Sequence, residues 1–127
     1  MSYSITNLRK VEDMAAKHGL GEFGASRFPR QEVGMEQSGL AYHALKPGKQ
    51  QPFGHRHKDA EEIHVILAGS GRVKLDDELV DVEPLDLIRL SPEVTRAFEA
   101  GPDGLEWLVF SPRYEGDAEM IQDVWQG

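Results

Sequence analysis

Hydrophobic and polar positions change rhythm along this chain. From Asn7 to Leu20 the apolar residues Leu8, Val11 and Met14 or Ala15 recur at helical spacing. Asn7 can cap the start and Gly19 can stop the helix after His18, which predicts one short helix over about residues 7–18, centred on Leu8–Lys17. About twelve helical residues are marginal alone in water, so this segment needs a surface to pack on. Gly21–Gly39 is mixed and contains Pro29; one edge strand is predicted near Ala25–Phe28. After Gly39, short apolar runs alternate with turn residues. Strands are predicted at Leu40–Leu45, before Lys46-Pro47-Gly48, and at Glu61–Leu67, before a turn at Ala68-Gly69-Ser70-Gly71. Arg72–Leu75 and Leu79–Val82 flank Asp76-Asp77-Glu78 as a hairpin. Leu85–Leu90, Arg96–Glu99 and Leu105–Phe110 follow, the last two separated by a turn at Gly101-Pro102-Asp103-Gly104. Strands about ten residues apart with turns between them predict an all-β antiparallel sandwich or barrel, with its core over about residues 25–111. In the acidic tail, residues 112–127, Met120, Ile121, Val124 and Trp125 stand near helical spacing, so a short helix or tail across the barrel is expected.

A chain of 127 residues is the size of one domain, so 1–127 is read as a single unit. It can bury roughly two-thirds of its unfolded surface without staples. The absence of cysteine excludes disulfides, thiolate nucleophiles and Cys-type zinc sites, and suits a reducing cytoplasm. The first residues show neither a basic start nor an apolar run, so no secretory signal is visible. No apolar stretch approaches the ~20 residues of a membrane helix. The net charge of −8, from 14 basic and 22 acidic residues, makes nucleic acid and anionic membranes poor partners. There is no nucleophile elbow, phosphate loop or dinucleotide fingerprint.

Four of the five histidines lie between residues 43 and 64. At their centre is His55-Arg56-His57, followed after four residues by Glu62. Alternate residues of a strand share a face, so His55 and His57 can point together. A turn at Lys58–Ala60 and an antiparallel return would bring Glu62 opposite them. Two imidazoles and a carboxylate then form a facial ligand set for Fe(II), Mn(II), Zn(II) or Ni(II), with positions left open. The bland alternative is a chance surface pair of histidines.

The segment from Gly48 through His55, His57 and Glu62 to Gly69 resembles the first motif of the cupin superfamily, G-x5-HxH-x3,4-E-x6-G. The gaps from His57 to Glu62 and from Glu62 to Gly69 agree; Gly48 lies one residue too far upstream. The resemblance covers roughly residues 40–110. It implies a double-stranded β-helix, or jelly-roll, barrel with His55, His57 and Glu62 as ligands of a divalent metal. The second motif, G-x5-PxG-x2-H-x3-N, is degraded: Arg96 stands where the family carries its fourth ligand, while Asp86 and Pro92 keep the register. A guanidinium has no free lone pair and cannot ligate. At ~6 Å and an effective dielectric near 20 it would repel a divalent ion by about 5–6 kcal/mol, roughly halved by Glu62, a cost that a three-ligand site can survive. Arg96 then either awaits an anionic ligand beside the metal or pairs with Glu62 across an empty site.

His64 shares the face of Glu62 and is a fourth ligand, a pocket acid–base group or a hydrogen-bonded core histidine. His43 faces inward if Leu45 does. Glu61 would replace Glu62 only if the gap to Gly69 lengthened. Phe98, Trp107, Leu108 and Phe110 read as barrel lining or sheet core. Resemblance to cupins implies an oxygenase, isomerase, decarboxylase or epimerase; where the chain departs from the family, Arg96 is expected to hold a small anionic metabolite, with His64 and His43 in the pocket. A metal-free sensor and a structural protein with a vestigial pocket are the alternatives. A homodimer is expected, since pairing hides exposed strand edges.

Overall fold

Eight strands follow one another in the computed structural model, which describes residues 2–126. They are β1 (Gly24–Arg27), β2 (Ser38–Leu45), β3 (Gly54–His57), β4 (Glu62–Leu75), β5 (Glu78–Val82), β6 (Leu87–Leu90), β7 (Arg96–Pro112) and β8 (Ala118–Ile121). The two long strands, β4 and β7, run antiparallel from Ile63 beside Phe110 to Leu75 beside Arg96. Each takes part in both faces of the fold. The second half of β7 pairs with β2, which pairs with β1, while the start of β4 pairs with β6. The far end of β4 pairs with β5, and the start of β7 meets β3 at Arg96 beside His55, with β8 beyond β3. These are the two faces of the expected jelly-roll barrel.

The inner face can be read from burial. Along β4, Glu62, His64 and Ile66 are buried and the residues between them less so, a period of two. On β7, Arg96, Phe98 and Ala100 face inward, then Leu105, Trp107 and Val109. The parity switches because residues 101–104 of β7 face only Ser70 of β4: Ala100 pairs with Gly71 and Leu105 with Gly69. Extra residues on one strand bend the pair sharply. The two turns expected at Ala68–Gly71 and Gly101–Gly104 are therefore corrected to irregularities inside continuous strands, with register shifts between Ile66 and Ala68 and between Gly69 and Gly71. Gly69, at φ +89°, makes the bend possible, since a Cβ there would lie 2.0 Å from the Gly104 carbonyl oxygen. Leu45, Ile66, Val73, Val82, Phe98, Leu105 and Trp107 belong to the resulting core cluster.

Both termini differ from the helical expectations. The single helix over 7–18 is corrected to a 3₁₀ turn at Leu8–Lys10 and one helical turn, α1 (Met14–Lys17). Asn7 does cap the first, accepting from Arg9 N at 2.9 Å. The break between them buries Val11 and frees Asp13 to cap α1 while accepting from Ser26 N of β1. Anchoring to the barrel thus outweighs a marginal helix. A second helical turn, α2 (Arg30–Val33), follows β1. At the other end the chain forms β8 instead of a helix, carrying the sheet beyond residue 111. Arg56 and Glu119 join β3 and β8 through two bonds of 2.9 and 3.1 Å, and β8 covers the open edge of β3. Beyond it Val124 is buried, and Trp125 Nε1 donates to the Gln51 carbonyl. Strand β6 starts at Leu87, because Leu85 is held in a left-handed turn at φ +75°. No helix among the described residues is long and apolar enough to cross a membrane.

Candidate metal centre and its cavity

His55 and His57 alternate on β3 with Arg56, so both imidazoles face inward, with ring centroids 5.3 Å apart. Glu62 opens β4 after the turn at residues 58–60 and is 5% exposed. One donor atom from each of the three lies within 4.8 Å of the others. Glu61 points the other way, exposed and paired with Arg89 at 3.0 Å, so Glu62 is the inward carboxylate.

The protonation pattern follows from the neighbours. Asp117 is buried and accepts from the amides of Asp59 and Ala60 at 2.9 and 3.0 Å. Burial opposes its charge, but these amides and His57 hold its carboxyl below the ordinary range. His57 Nδ1 lies 3.0 Å from Asp117 Oδ2 and must donate to it, which leaves a lone pair on Nε2. That Nε2 is buried, has no hydrogen-bond partner, and stands 2.9 Å from Glu62 Oε2 outside hydrogen-bonding alignment. The other oxygen, Oε1, is taken: His64 Nε2 donates to it at 2.9 Å, with His55 Nε2 and Arg96 Nη1 each at 3.7 Å. Burial penalises the Glu62 charge, yet His55 and His64 hold the group far below the usual carboxylate range. An ionised carboxylate oxygen, an imidazole nitrogen without a hydrogen-bond partner and a second imidazole converge on one point. That donor set suits a divalent first-row ion.

Arg96 and His64 stand behind this cluster. Arg96 is fully buried; its Nη2 donates to the Ser91 carbonyl at 3.2 Å, while Nε and Nη1 have no hydrogen-bond partner. Burial lowers its affinity for the proton, and Glu62, Asp76 and Glu93 oppose that shift. Neither Arg96 nor His64 lines the cavity. Arg96, expected to reach into the pocket and hold an anion, stands with Nη1 3.7 Å from Glu62 Oε1 and is fully buried. His64, 1% exposed, is hydrogen-bonded to Glu62, and burial pushes its pKa down while Glu62 opposes that shift.

The cavity has a volume of about 920 Å³. His55, His57 and Glu62 form part of its wall, together with His43. His43 faces inward, as expected, within the registered row Ile66–Trp107–His43–Ser26. Its Nδ1 lies 2.8 Å from Ser26 Oγ, and burial pushes its pKa down to about 3. An aromatic column runs inward from it: His43 to Trp107 at 5.2 Å, Trp107 to Phe98 at 4.3 Å and Phe98 to His64 at 5.2 Å. Of the other residues expected in the lining or core, Phe110 is exposed and Leu108 lies with it on the outer face, since both are of opposite parity to Trp107.

The role of Asp117 went unseen in the sequence. Asp117 sits in an acidic tail, four residues before the end of a short strand, and only the pairing of β8 with β3 brings it to His57. Its one sequence signal is Gly116-Asp117 ahead of an alternating quartet.

Residues 40–123 match a family described as the AraC-like ligand binding domain. The chain belongs to that family, a cupin-fold family. Solved structures agree on the fold. A cupin protein from Bacteroides fragilis superposes with a TM-score of 0.71 at 20% identity, covering 91% of this chain and 88% of its own. The polyketide cyclase RemF from Streptomyces resistomycificus gives 0.74 at 19% identity, covering 94% and 84%. Oxalate decarboxylase from Bacillus subtilis gives 0.75 at 23% identity; this chain covers only 32% of it. Among curated proteins no sequence match is found. The family is a ligand-binding one, and this domain has a cavity beside the His/His/Glu cluster.

Proposed function

We propose that this domain binds a small molecule in its barrel at a divalent metal centre held by His55, His57 and Glu62. The orphaned, lone-pair-bearing Nε2 of His57 beside the free oxygen of Glu62 is the observation that carries the reading. Asp117 holds His57 through Nδ1, His55 and His64 favour the ionised form of Glu62, and Arg96 Nη1 stands 3.7 Å from Glu62 Oε1. When bound, such an ion supplies Lewis acidity and open positions for an oxygen-bearing group of the ligand. An anionic ligand group would therefore meet those positions and not Arg96. Titration of untagged protein with Mn(II), Ni(II) or Zn(II) tests this: one ion should bind per chain near pH 7.5, weakening below about pH 6 as the imidazoles take protons. Uptake that is absent, or indifferent to His55→Ala, would refute it.

The homodimer is proposed through the outer face of β2, β7, β4 and β6. There Leu87, Val65, Leu108 and Tyr42 form one registered row, with Ile63, Phe110 and Leu40 in the next. Glu61 and Arg89 border the face with both signs, which a two-fold copy can match with its own Arg89 and Glu61. Sedimentation as a monomer at all concentrations would remove it. A cytoplasmic setting accords with the cysteine-free sequence.

A further inference from the structure

The composition of the cavity wall says more than that a small molecule fits. Leu20, Phe23, Phe28, Leu45, Trp107 and Val109 supply apolar surface from both termini and from the barrel. The fixed charges in the wall do not favour an anion: Arg30 and Arg113 are outnumbered by Glu62, Glu115 and Asp117. Arg30 is further occupied, donating to the Glu36 carbonyl at 3.4 Å. Arg96, the fully buried cation, stands beside Glu62 and does not line the cavity. The inward polar groups are gathered at the His/His/Glu cluster and at His43, which is neutral and hydrogen-bonded to Ser26. At about 920 Å³ the space lies toward the upper end of the roughly 300–1,000 Å³ found for drug-sized ligands. A two- or three-carbon acid would leave most of that apolar wall in contact with water.

We infer that the ligand is amphiphilic: a flat apolar body, of aromatic or fused-ring type, carrying one oxygen-bearing head that faces His55, His57 and Glu62. Phe28, half exposed, meets the His43 ring edge-on at 5.7 Å and offers a ring to such a body, while Trp107 backs His43 from the core side. Apolar burial supplies the affinity and the polar cluster sets the orientation. The inference deepens the proposed binding role and shares its cavity, but the apolar wall does not depend on a metal being bound.

The test is a series sharing one hydroxy-carboxylate head with a growing body: lactate, salicylate and 3-hydroxy-2-naphthoate, with 2-naphthol and inorganic phosphate as comparators. Calorimetry on the metal-loaded domain should show affinity rising about tenfold per added ring, with phosphate weakest. In His57→Ala the head contributes less, yet the order by body size should persist; 2-naphthol, whose head lacks the carboxylate, should lose least. This separates the two claims, because metal uptake can fail while the size order holds. Ala41→Phe, which fills the cavity, should abolish naphthoate binding, and Phe28→Ser, at the exposed mouth, should weaken it several-fold. Lactate or phosphate binding as tightly as the naphthoate would overturn the inference. So would naphthoate binding that neither substitution changes.

Discussion

The inside of this barrel has two halves that β4 joins within a few residues. At its start, Glu62 and His64 project into a buried polar cluster with His55, His57 and Arg96; from Ile66 onward the same face packs against Phe98, Leu105 and Trp107. The apolar half is held by contact area, which is not directional, and tolerates any side chains of suitable volume. The polar half is directional. Each group is oriented by one neighbour, and His57 and Arg96 still keep buried nitrogens without a partner. Unpaired polar atoms inside a fold are costly unless something else satisfies them. The contrast separates a region held by contact area from one whose donor atoms are individually oriented.

The largest expected effect lies in the apolar half. Ile66→Ala empties a fully buried site and should cost about 2–5 kcal/mol in urea unfolding, with metal stoichiometry unchanged. Asp117→Asn should do the reverse, weakening metal binding about 10–100-fold because His57 loses the carboxylate that fixes its tautomer. Competition with a chelator measures it, and circular dichroism should report an intact barrel. His43 gives a pH signature. Its folded pKa of about 3 lies below the ordinary 6.5, so below pH 6.5 the unfolded chain takes a proton that the folded chain refuses. Stability should therefore fall as pH drops from 6.5 toward 3. Between pH 7 and 5 the wild type should lose up to about 2 kcal/mol more than His43→Gln. The smallest effect is Glu61→Gln, an exposed ion pair whose loss should change stability and metal binding by less than about 0.5 kcal/mol. A large effect there would mean that the wrong carboxylate has been assigned.

The same contrast explains what could be read in the sequence. Alternation and turn residues revealed most strands, and the spacing of His55, His57 and Glu62 revealed the cluster, because both are local patterns. Gly69 and residues 101–104 looked like turns, since a bulge uses the same residues as a reversal and only the partner strand tells them apart. Asp117 is sixty residues from His57, and β8 is too short for its pattern to announce a strand. Arg96 was placed on the right strand opposite His55, but the sequence does not say that it is fully buried with Nη1 3.7 Å from Glu62 Oε1.

The central claim is that three residues, His55, His57 and Glu62, hold a divalent ion despite the arginine behind them. Untagged protein equilibrated in turn with Fe(II), Mn(II), Ni(II) and Zn(II), dialysed and analysed for metal tests it most directly. The account predicts one ion per chain for at least one of these metals, and none for a folded His57→Ala protein. Wild-type protein that stays metal-free with all four, or a His57→Ala protein that retains the ion, would contradict it.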